Sequence, residues 1–141
     1  MKIHATLDNE PGRHRVVLAT DGAQHPLDIA PRTEGHGSSV NGGELLCLAL
    51  ATCYCNDLYR EAARRAITVT AVRVEAHAEF GGIGEAARAL RYSAKVTAMA
   101  AESDIRDLMA HTDRVAEVQN TLRRGLDVRF DLGEAREQRA L

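Results

Sequence analysis

Hydrophobic and polar residues alternate along the first thirty positions, a pattern typical of β-strands with one exposed face. The alternation predicts a three-stranded meander with strands near residues 1–7, 16–19 and 27–29. Asp21-Gly22, between the second and third segments, is a dipeptide that tight hairpin turns favour. Residues 31–43 are rich in Gly, Ser, His and Asn, and they predict a loop.

A second alternating pattern covers residues 72–80 and 90–98. It predicts two long, half-exposed strands of an antiparallel hairpin, joined through a glycine-rich connection. Residues 126–132 alternate in the same way and predict a last strand.

Residues 44–65 predict a long central helix. Its first half is apolar on every side, which is typical of a helix enclosed by protein. A chain this small has little material to enclose it, so we expect a second copy to help. In the second half, an apolar stripe of Leu58, Tyr59, Ala62 and Ala63 opposes a polar set of Asp57, Arg60, Glu61 and Arg64.

Two shorter helices are predicted after the hairpin. Ser103 is a candidate N-cap for the first, and Thr112 or Asp113 for the second, which should stop at Gly125. The resulting order is βββ-α-ββ-α-α-β, which indicates one α+β domain over residues 1–141 with a mostly antiparallel sheet. We expect the charged tail from about residue 133 to be mobile.

Composition excludes several classes of function. The 141 residues carry a net charge of -2, whereas nucleic-acid-binding domains are normally basic, so we expect no nucleic-acid partner. The longest apolar run is far shorter than the ~20 residues of a membrane span, and no basic-then-apolar leader is evident, so we expect no membrane partner. A soluble cytoplasmic protein is the expectation.

Candidate chemistry is concentrated in three cysteines of the central helix, Cys47, Cys53 and Cys55. Clustering within one helix favours reduced thiols over a disulfide framework. Cys53 and Cys55 are two positions apart on a helix and therefore point in different directions. If Cys53 is reactive, it needs a cation from elsewhere, and the candidates are Arg13, Arg15, Arg32 and His36. No metal site or cofactor is predicted.

Several runs together resemble the OsmC/Ohr family, named for osmotically inducible and organic hydroperoxide resistance proteins. They are Asn-Gly-Gly-Glu-Leu-Leu at 41–46, Ala-Leu-Ala-Thr-Cys at 49–53, Ala-Ala-Arg-Arg-Ala-Ile at 62–67, and the segment 113–122 followed by Gly125 and Val128. The resemblance covers essentially the whole chain, including the order of its elements.

This resemblance implies an intertwined homodimer and a thiol peroxidase that reduces organic hydroperoxides as part of a stress response. It places Cys53 at the attacking position and Ala116 at the position of the resolving cysteine, which is therefore missing. The family's glutamate falls on Gly43, with Glu44 one position away, and its arginine matches Arg15 or Arg13. An external thiol would then serve as reductant.

Other interpretations remain open at this stage. Cys53 by itself fits a small buried hydrophobic residue, which is how most free cysteines behave. Cys55 is a possible substitute for the missing resolver. A non-catalytic dimer that binds a small apolar ligand near Cys53 is the alternative function, and a structural or partner-binding role is the third.

Overall fold

Five strands and three helices form the part of the chain described by the computed structural model, residues 1–131 and 133–137. Their order confirms the predicted α+β arrangement except at its C-terminal end. The elements are β1 (Ile3–Glu10), β2 (Arg13–Thr20), β3 (Ala23–Leu27), α1 (Gly42–Arg64), β4 (Val69–Phe80), β5 (Ala87–Ala98), α2 (Glu102–Val115) and α3 (Glu117–Arg124).

The first three strands form an antiparallel sheet in the order β1-β2-β3, which confirms the predicted meander. The third strand lies at Ala23–Leu27, earlier than the predicted 27–29, because it begins directly after the Asp21-Gly22 turn with Ala23 opposite Thr20. Asp21 and Gly22 form the turn between β2 and β3 with φ values of 48° and 88°, the left-handed conformation that this dipeptide tolerates. Only Val16 and Ala19 of this sheet are buried. Its strands make at most marginal contact with the helices and with the second sheet. The sheet therefore stands largely apart within one chain.

Strands β4 and β5 form the second, two-stranded antiparallel sheet, which confirms the predicted hairpin. Val72 lies opposite Val96, and Val74 opposite Ala94. Because side chains alternate along a strand, this register collects the apolar residues on one face. That face packs against α1 and supplies one wall of the core.

Helix α1 confirms the predicted central helix, but it begins at Gly42, two residues before the predicted start, and its first turn carries a complete capping box. The Asn41 side chain accepts a hydrogen bond from the Glu44 amide at 2.9 Å, and the Glu44 carboxylate accepts one from the Asn41 amide at 2.7 Å. Farther along, Leu58 of α1 meets Leu108 of α2, and both side chains are fully buried. Each contributes about 1.5–3 kcal/mol through burial. The core cluster consists of Tyr54, Leu58, Ala62 and Leu108.

The apolar first half of α1 is not enclosed by its own chain, since Leu48 is 55% exposed, and its enclosure by a second copy stays a prediction. The expected polar face of the second half is wrong. In the second half, Asp57 and Glu61 lie on the buried side, each only 4% exposed, whereas Tyr59 is 45% exposed. The difference arises because α2 and α3 pack over the carboxylate-bearing face, where Arg60 and Arg64 of α1 itself and His111 of α2 pair with the two carboxylates.

The starts of α2 and α3 also differ from prediction. Ser103 lies inside α2, whose N-cap is Ala101. Thr112 does not start a helix, because its hydroxyl donates to the Leu108 carbonyl within α2 at 2.8 Å. Helix α3 instead follows Ala116 and ends, as predicted, at Gly125 in a left-handed conformation with φ of 64°.

The predicted last strand is not present in residues 126–131, and Leu132 lies outside the described residues. Leu126, Val128 and Phe130 are 69%, 98% and 86% exposed. A strand requires a neighbour for its backbone hydrogen bonds, and no described strand of this chain pairs with the segment. The mobility predicted for the tail stays a prediction, and residues 138–141 lie outside the described residues. Among the described helices, none has both the length and the apolar character needed to cross a bilayer.

Candidate functional site

Cys53 lies on the face of α1 that meets the start of α3. Its side chain is partly buried, and the backbone N–H of Val118 points to its sulfur. Val118 is in the first turn of α3, where free amide groups and the helix dipole favour negative charge. Helix α3 therefore supplies the stabilisation of a thiolate that α1 itself cannot provide this far from its own N-terminus.

Two carboxylates flank the same sulfur. The Cys53 thiol donates a hydrogen bond to Asp57 Oδ2 at 3.4 Å, and Glu117 Oε2 lies 3.9 Å from Sγ. Asp57 faces Cys53 because residues four apart on a helix share a face. Glu117 is the first residue of α3, and its side chain is 58% exposed.

Arg60 is the cation that holds this cluster together. Its Nη1 atom lies 2.6 Å from Asp57 Oδ1 and 3.4 Å from Glu117 Oε1, while its Nε donates to Glu61 at 3.0 Å. Behind Arg60, the buried Glu61 also accepts from Arg64 at 3.0 Å and meets His111 Nε2 at 3.1 Å. The ion pairs thus tie α1 to both α2 and α3.

Burial raises the pKa of the Cys53 thiol above its ordinary value, which the Val118 N–H opposes and the Asp57 and Glu117 carboxylates reinforce. Burial also raises the pKa of Asp57, helped by its hydrogen bond with Glu117 and opposed by Arg60. The pKa of Glu117 is lowered, first by its own backbone N–H. Within one chain, Asp57 therefore retains a proton more readily than Glu117 does.

The arginines predicted from the N-terminal strands do not contact Cys53 in this chain. Arg13 and Arg15 lie on β2, both exposed, and Arg13 pairs with Glu10 at 3.6 Å. In the following loop, Arg32 donates to the Ser38 carbonyl at 3.2 Å and His36 is exposed.

Glu44 is also separated from Cys53. Its carboxylate is engaged in the capping box, nine residues and about 13 Å along α1 from the thiol. The neighbouring Gly43 packs under an aromatic ring, since a Cβ there would lie 2.9 Å from Phe80 Cε2. A glutamate at position 43 would therefore require Phe80 to move. The four-part site implied by the family resemblance is not assembled within one chain.

The other two cysteines lie away from this cluster. Cys55 lines a groove of about 280 Å³ that includes Val74 of β4, so it faces a different element from Cys53, as the spacing predicted. Cys47 is partly buried in the first half of α1. Ala116, at the resolver position, is fully buried and immediately precedes Glu117.

The donor atoms of Cys53, Asp57 and Glu117 lie within 4.8 Å of one another, a spacing that a metal ion could bridge. Arg60 already forms ion pairs with both carboxylates, so a divalent cation would have to displace it.

Sequence reasoning missed Asp57, Arg60 and Glu117 as site residues. A signal for the first was available, because an acidic residue four positions after a cysteine on a helix shares its face. Glu117 and the amide of Val118 had no such signal, since only the tertiary packing of α3 on α1 brings them to the thiol.

Comparison with known proteins connects this arrangement to a family. In structure the chain is similar to an OsmC-like protein from Mycoplasma pneumoniae, with a TM-score of 0.62, 18% identity and 86% of each chain covered. It is also similar to an OsmC-like hydroperoxide resistance protein from Jannaschia sp. CCS1, with a TM-score of 0.58, 13% identity and coverage of 94% of this chain and 91% of the other. An organic hydroperoxide resistance protein from Elizabethkingia anophelis gives a TM-score of 0.54 at 18% identity, covering 87% and 89%.

These similarities show the shared fold. Among curated proteins, none matches the chain in sequence. The family model described as OsmC-like protein matches residues 35–131, a segment that contains α1, both strands of the hairpin, α2 and α3. The chain therefore belongs to the OsmC-like protein family.

Proposed function

We propose that the protein is a thiol-dependent peroxidase that reduces organic hydroperoxides through Cys53. The observation that carries the proposal is the position of the Cys53 sulfur, partly exposed at the amide-bearing start of α3 and hydrogen-bonded to a carboxylate. Membership of the OsmC-like family supports it, as do the names of two structural neighbours, which are hydroperoxide resistance proteins.

The reaction begins with the thiolate of Cys53, which attacks the distal oxygen of the hydroperoxide. The O–O bond breaks, the sulfur keeps the OH group as a sulfenic acid, and the remaining alkoxide takes a proton and leaves as an alcohol. The Val118 amide favours the thiolate that starts this step.

The cycle is of the one-cysteine type. Ala116 occupies the resolver position, and Cys55 faces the groove beside β4, away from Cys53. An external thiol therefore condenses with the sulfenic acid, releasing water, and a second thiol releases Cys53 as the free thiol.

The active form is a homodimer. Three features support this assembly: the exposed Leu48 in the first half of α1, the three-stranded sheet that stands largely apart, and the apolar segment 126–131, which pairs with no described strand. If Arg15 or Arg13 and Glu44 serve Cys53, they do so from the second copy, because none of them contacts it in one chain.

Steady-state consumption of an aryl alkyl hydroperoxide tests the proposal. With a small monothiol or dithiol as reductant, the wild-type protein should turn over, Cys53→Ser should not, and Cys47→Ser should keep most activity because Cys47 lies six residues before Cys53. Consumption that persists in Cys53→Ser, or that is absent from the wild type with every thiol supplied, contradicts the peroxidase assignment.

A second candidate function rests on the raised pKa of Cys53, because a protonated thiol is a weak nucleophile. In this alternative the dimer binds a small apolar molecule without catalysis. The candidate site is the groove of about 420 Å³ beside β5, where Tyr54, Leu90 and Tyr92 offer apolar surface next to the charged Arg91, Asp113 and Arg123. Saturable binding of an apolar fluorophore by a protein without peroxidase activity would favour it.

A further inference from the structure

Asp57 is a buried carboxyl group placed directly against the candidate nucleophile. Only 4% of the residue is exposed, and its Oδ2 atom accepts the hydrogen bond from the Cys53 thiol. Burial of a carboxylate is costly unless it is paired. The ion pair between Arg60 and the other carboxylate oxygen, Oδ1, supplies the pairing that this burial requires. The spacing of four residues brings Asp57 to the face of Cys53, and the pairing of Oδ1 with Arg60 leaves Oδ2 facing the sulfur.

The two oxygens of Asp57 have different partners, and this difference gives them different roles. Oδ1 is held by the Arg60 guanidinium at 2.6 Å, which fixes the plane of the carboxyl group. Oδ2 is left for the thiol at 3.4 Å, and it is the atom that a proton leaving sulfur would reach. The geometry is that of an acid–base group with its reacting partner.

Glu117 connects this buried pair to solvent. Its carboxylate lies within hydrogen-bond reach of Asp57, and its side chain is 58% exposed. The other charged groups around Asp57 are Arg60 on the same helix and, behind Arg60, Glu61 with its partners Arg64 and His111. Of these charged neighbours, Glu117 is the more exposed carboxylate, so it offers a route from Asp57 to water.

Formation of the Cys53 thiolate and cleavage of the O–O bond both require a proton transfer close to the sulfur. Two neighbouring carboxylates disfavour simple ionisation of Cys53, so a base must take the thiol proton as the thiolate forms. When the O–O bond breaks, the departing alkoxide is strongly basic and needs a proton in the same step. One group that accepts and then returns a proton meets both requirements.

We propose that Asp57 is a catalytic acid–base residue that takes the thiol proton of Cys53 and delivers it to the departing alkoxide. The inference rests on the proposed peroxidase function. Asp57 accepts the proton from Sγ, the thiolate forms its bond to the distal oxygen, the O–O bond breaks, and the proton passes from Asp57 to the alkoxide. The thiol and hydroperoxide thus become sulfenic acid and alcohol, with Asp57 returned to its starting state.

Arg60 and Glu117 support Asp57 in distinct ways. Arg60 is a positioning residue, because it touches Asp57 Oδ1 and not the sulfur. Glu117 lies beside Asp57 and adds to the effect of burial in raising the pKa of its carboxyl group, so it favours the protonated form of Asp57 from which the alkoxide takes its proton.

The test compares two reactions of Cys53 in the full-length Asp57→Asn variant. Alkylation by iodoacetamide needs the thiolate but no proton donor, because iodide leaves without one. Removing the negative charge of Asp57 should lower the pKa of the thiol and make alkylation at pH 7 faster than in the wild type. Single-turnover oxidation by an aryl alkyl hydroperoxide should instead slow by about 100-fold, the usual loss of a general acid–base group.

Opposite changes in these two rates distinguish proton transfer from a purely electrostatic effect, under which both rates would rise. If Asp57→Asn oxidises as fast as the wild type or faster, the acid–base role is overturned while the peroxidase function stands. Glu75→Gln, which removes a carboxylate from the exposed face of β4, is the matched control and should change neither rate.

The wild-type protein offers a version of the test that does not depend on the variant folding. Its hydroperoxide reaction should slow in deuterium oxide at matched pD, because a proton moves during O–O cleavage, whereas alkylation of preformed thiolate should not. Equal rates in both solvents overturn the proposal. A wild-type protein that alkylates but never oxidises overturns the peroxidase function itself, which separates that failure from the failure of Asp57.

Discussion

Truncation of Leu58 to alanine tests the packing that positions Cys53 and Asp57. Leu58 of α1 is fully buried against α2 and the β4–β5 hairpin. Its truncation therefore leaves a cavity that the neighbouring side chains cannot readily fill. Loss of burial accounts for about 1.5–3 kcal/mol. With the cavity included, Leu→Ala substitutions in cores cost 2–5 kcal/mol, and we expect about 3 kcal/mol here. That is a large part of the ~5–15 kcal/mol available to a domain.

Urea unfolding followed by circular dichroism at one fixed protein concentration measures this cost. Fixed concentration matters because dimerisation adds to apparent stability by mass action. Ile83→Ala is the matched control, since it removes the same number of carbon atoms from a fully exposed side chain in the hairpin connection. It should change the free energy of unfolding by less than about 0.5 kcal/mol. A Leu58→Ala cost below about 1 kcal/mol would refute the described contact between α1 and the hairpin.

Three further predictions concern the titration of the thiol, a buried hydrogen bond and the assembly. The alkylation rate of Cys53 should rise with pH, and its midpoint, the pKa of the thiol, should lie above the ordinary thiol value. Glu117→Gln should lower that pKa, because it removes a negative charge. A wild-type midpoint near neutrality would contradict this expectation. Tyr92→Phe should cost about 1–2 kcal/mol in urea unfolding, because the Tyr92 hydroxyl donates to the Asp113 carboxylate, and an unchanged free energy would argue against that bond. Sedimentation should show a dimer at micromolar concentrations that Leu48→Asp converts to monomer, whereas a wild-type monomer would remove the basis for a shared site.

The elements with strong local patterns were predictable from sequence. Alternation over residues 72–80 and 90–98 specifies the hairpin because a strand exposes one face and buries the other. The capped apolar run after Asn41 specifies α1, and Gly125 specifies the end of α3. In each case the decisive interactions lie within a few residues of one another or across one hairpin.

The errors occurred where distant residues decide the outcome. The segment 126–131 has the alternation of a strand, but pairing requires a neighbour that the described chain does not provide. The sequence pattern predicted that Asp57 and Glu61 lie on an exposed polar face. They are buried instead, because Arg60 pairs with Asp57 and His111 with Glu61. The Arg60–Asp57 pair is local to one turn of α1, but the contact of His111 with Glu61 depends on the packing of α2, which a local pattern cannot predict.

The candidate site was predicted only at its centre. Cys53 was identified from its neighbours in sequence, and its surroundings were expected to be basic. Within one chain they are instead acidic, with the amide of Val118 as the stabilising group. This difference arises because α3 folds back onto α1, an arrangement set by helix packing and not by any motif.

The most direct test of the central claim is chemical labelling of the sulfenic acid. Reduced wild-type protein is treated with one equivalent of an aryl alkyl hydroperoxide in the presence of a 1,3-diketone trap, and the adduct is located by peptide mass spectrometry. We predict one adduct per chain, on Cys53, with no more than slow disulfide formation. A trap that labels Cys47 or Cys55 in preference to Cys53, or that labels no cysteine, would contradict the assignment of Cys53 as the peroxide-reactive thiol.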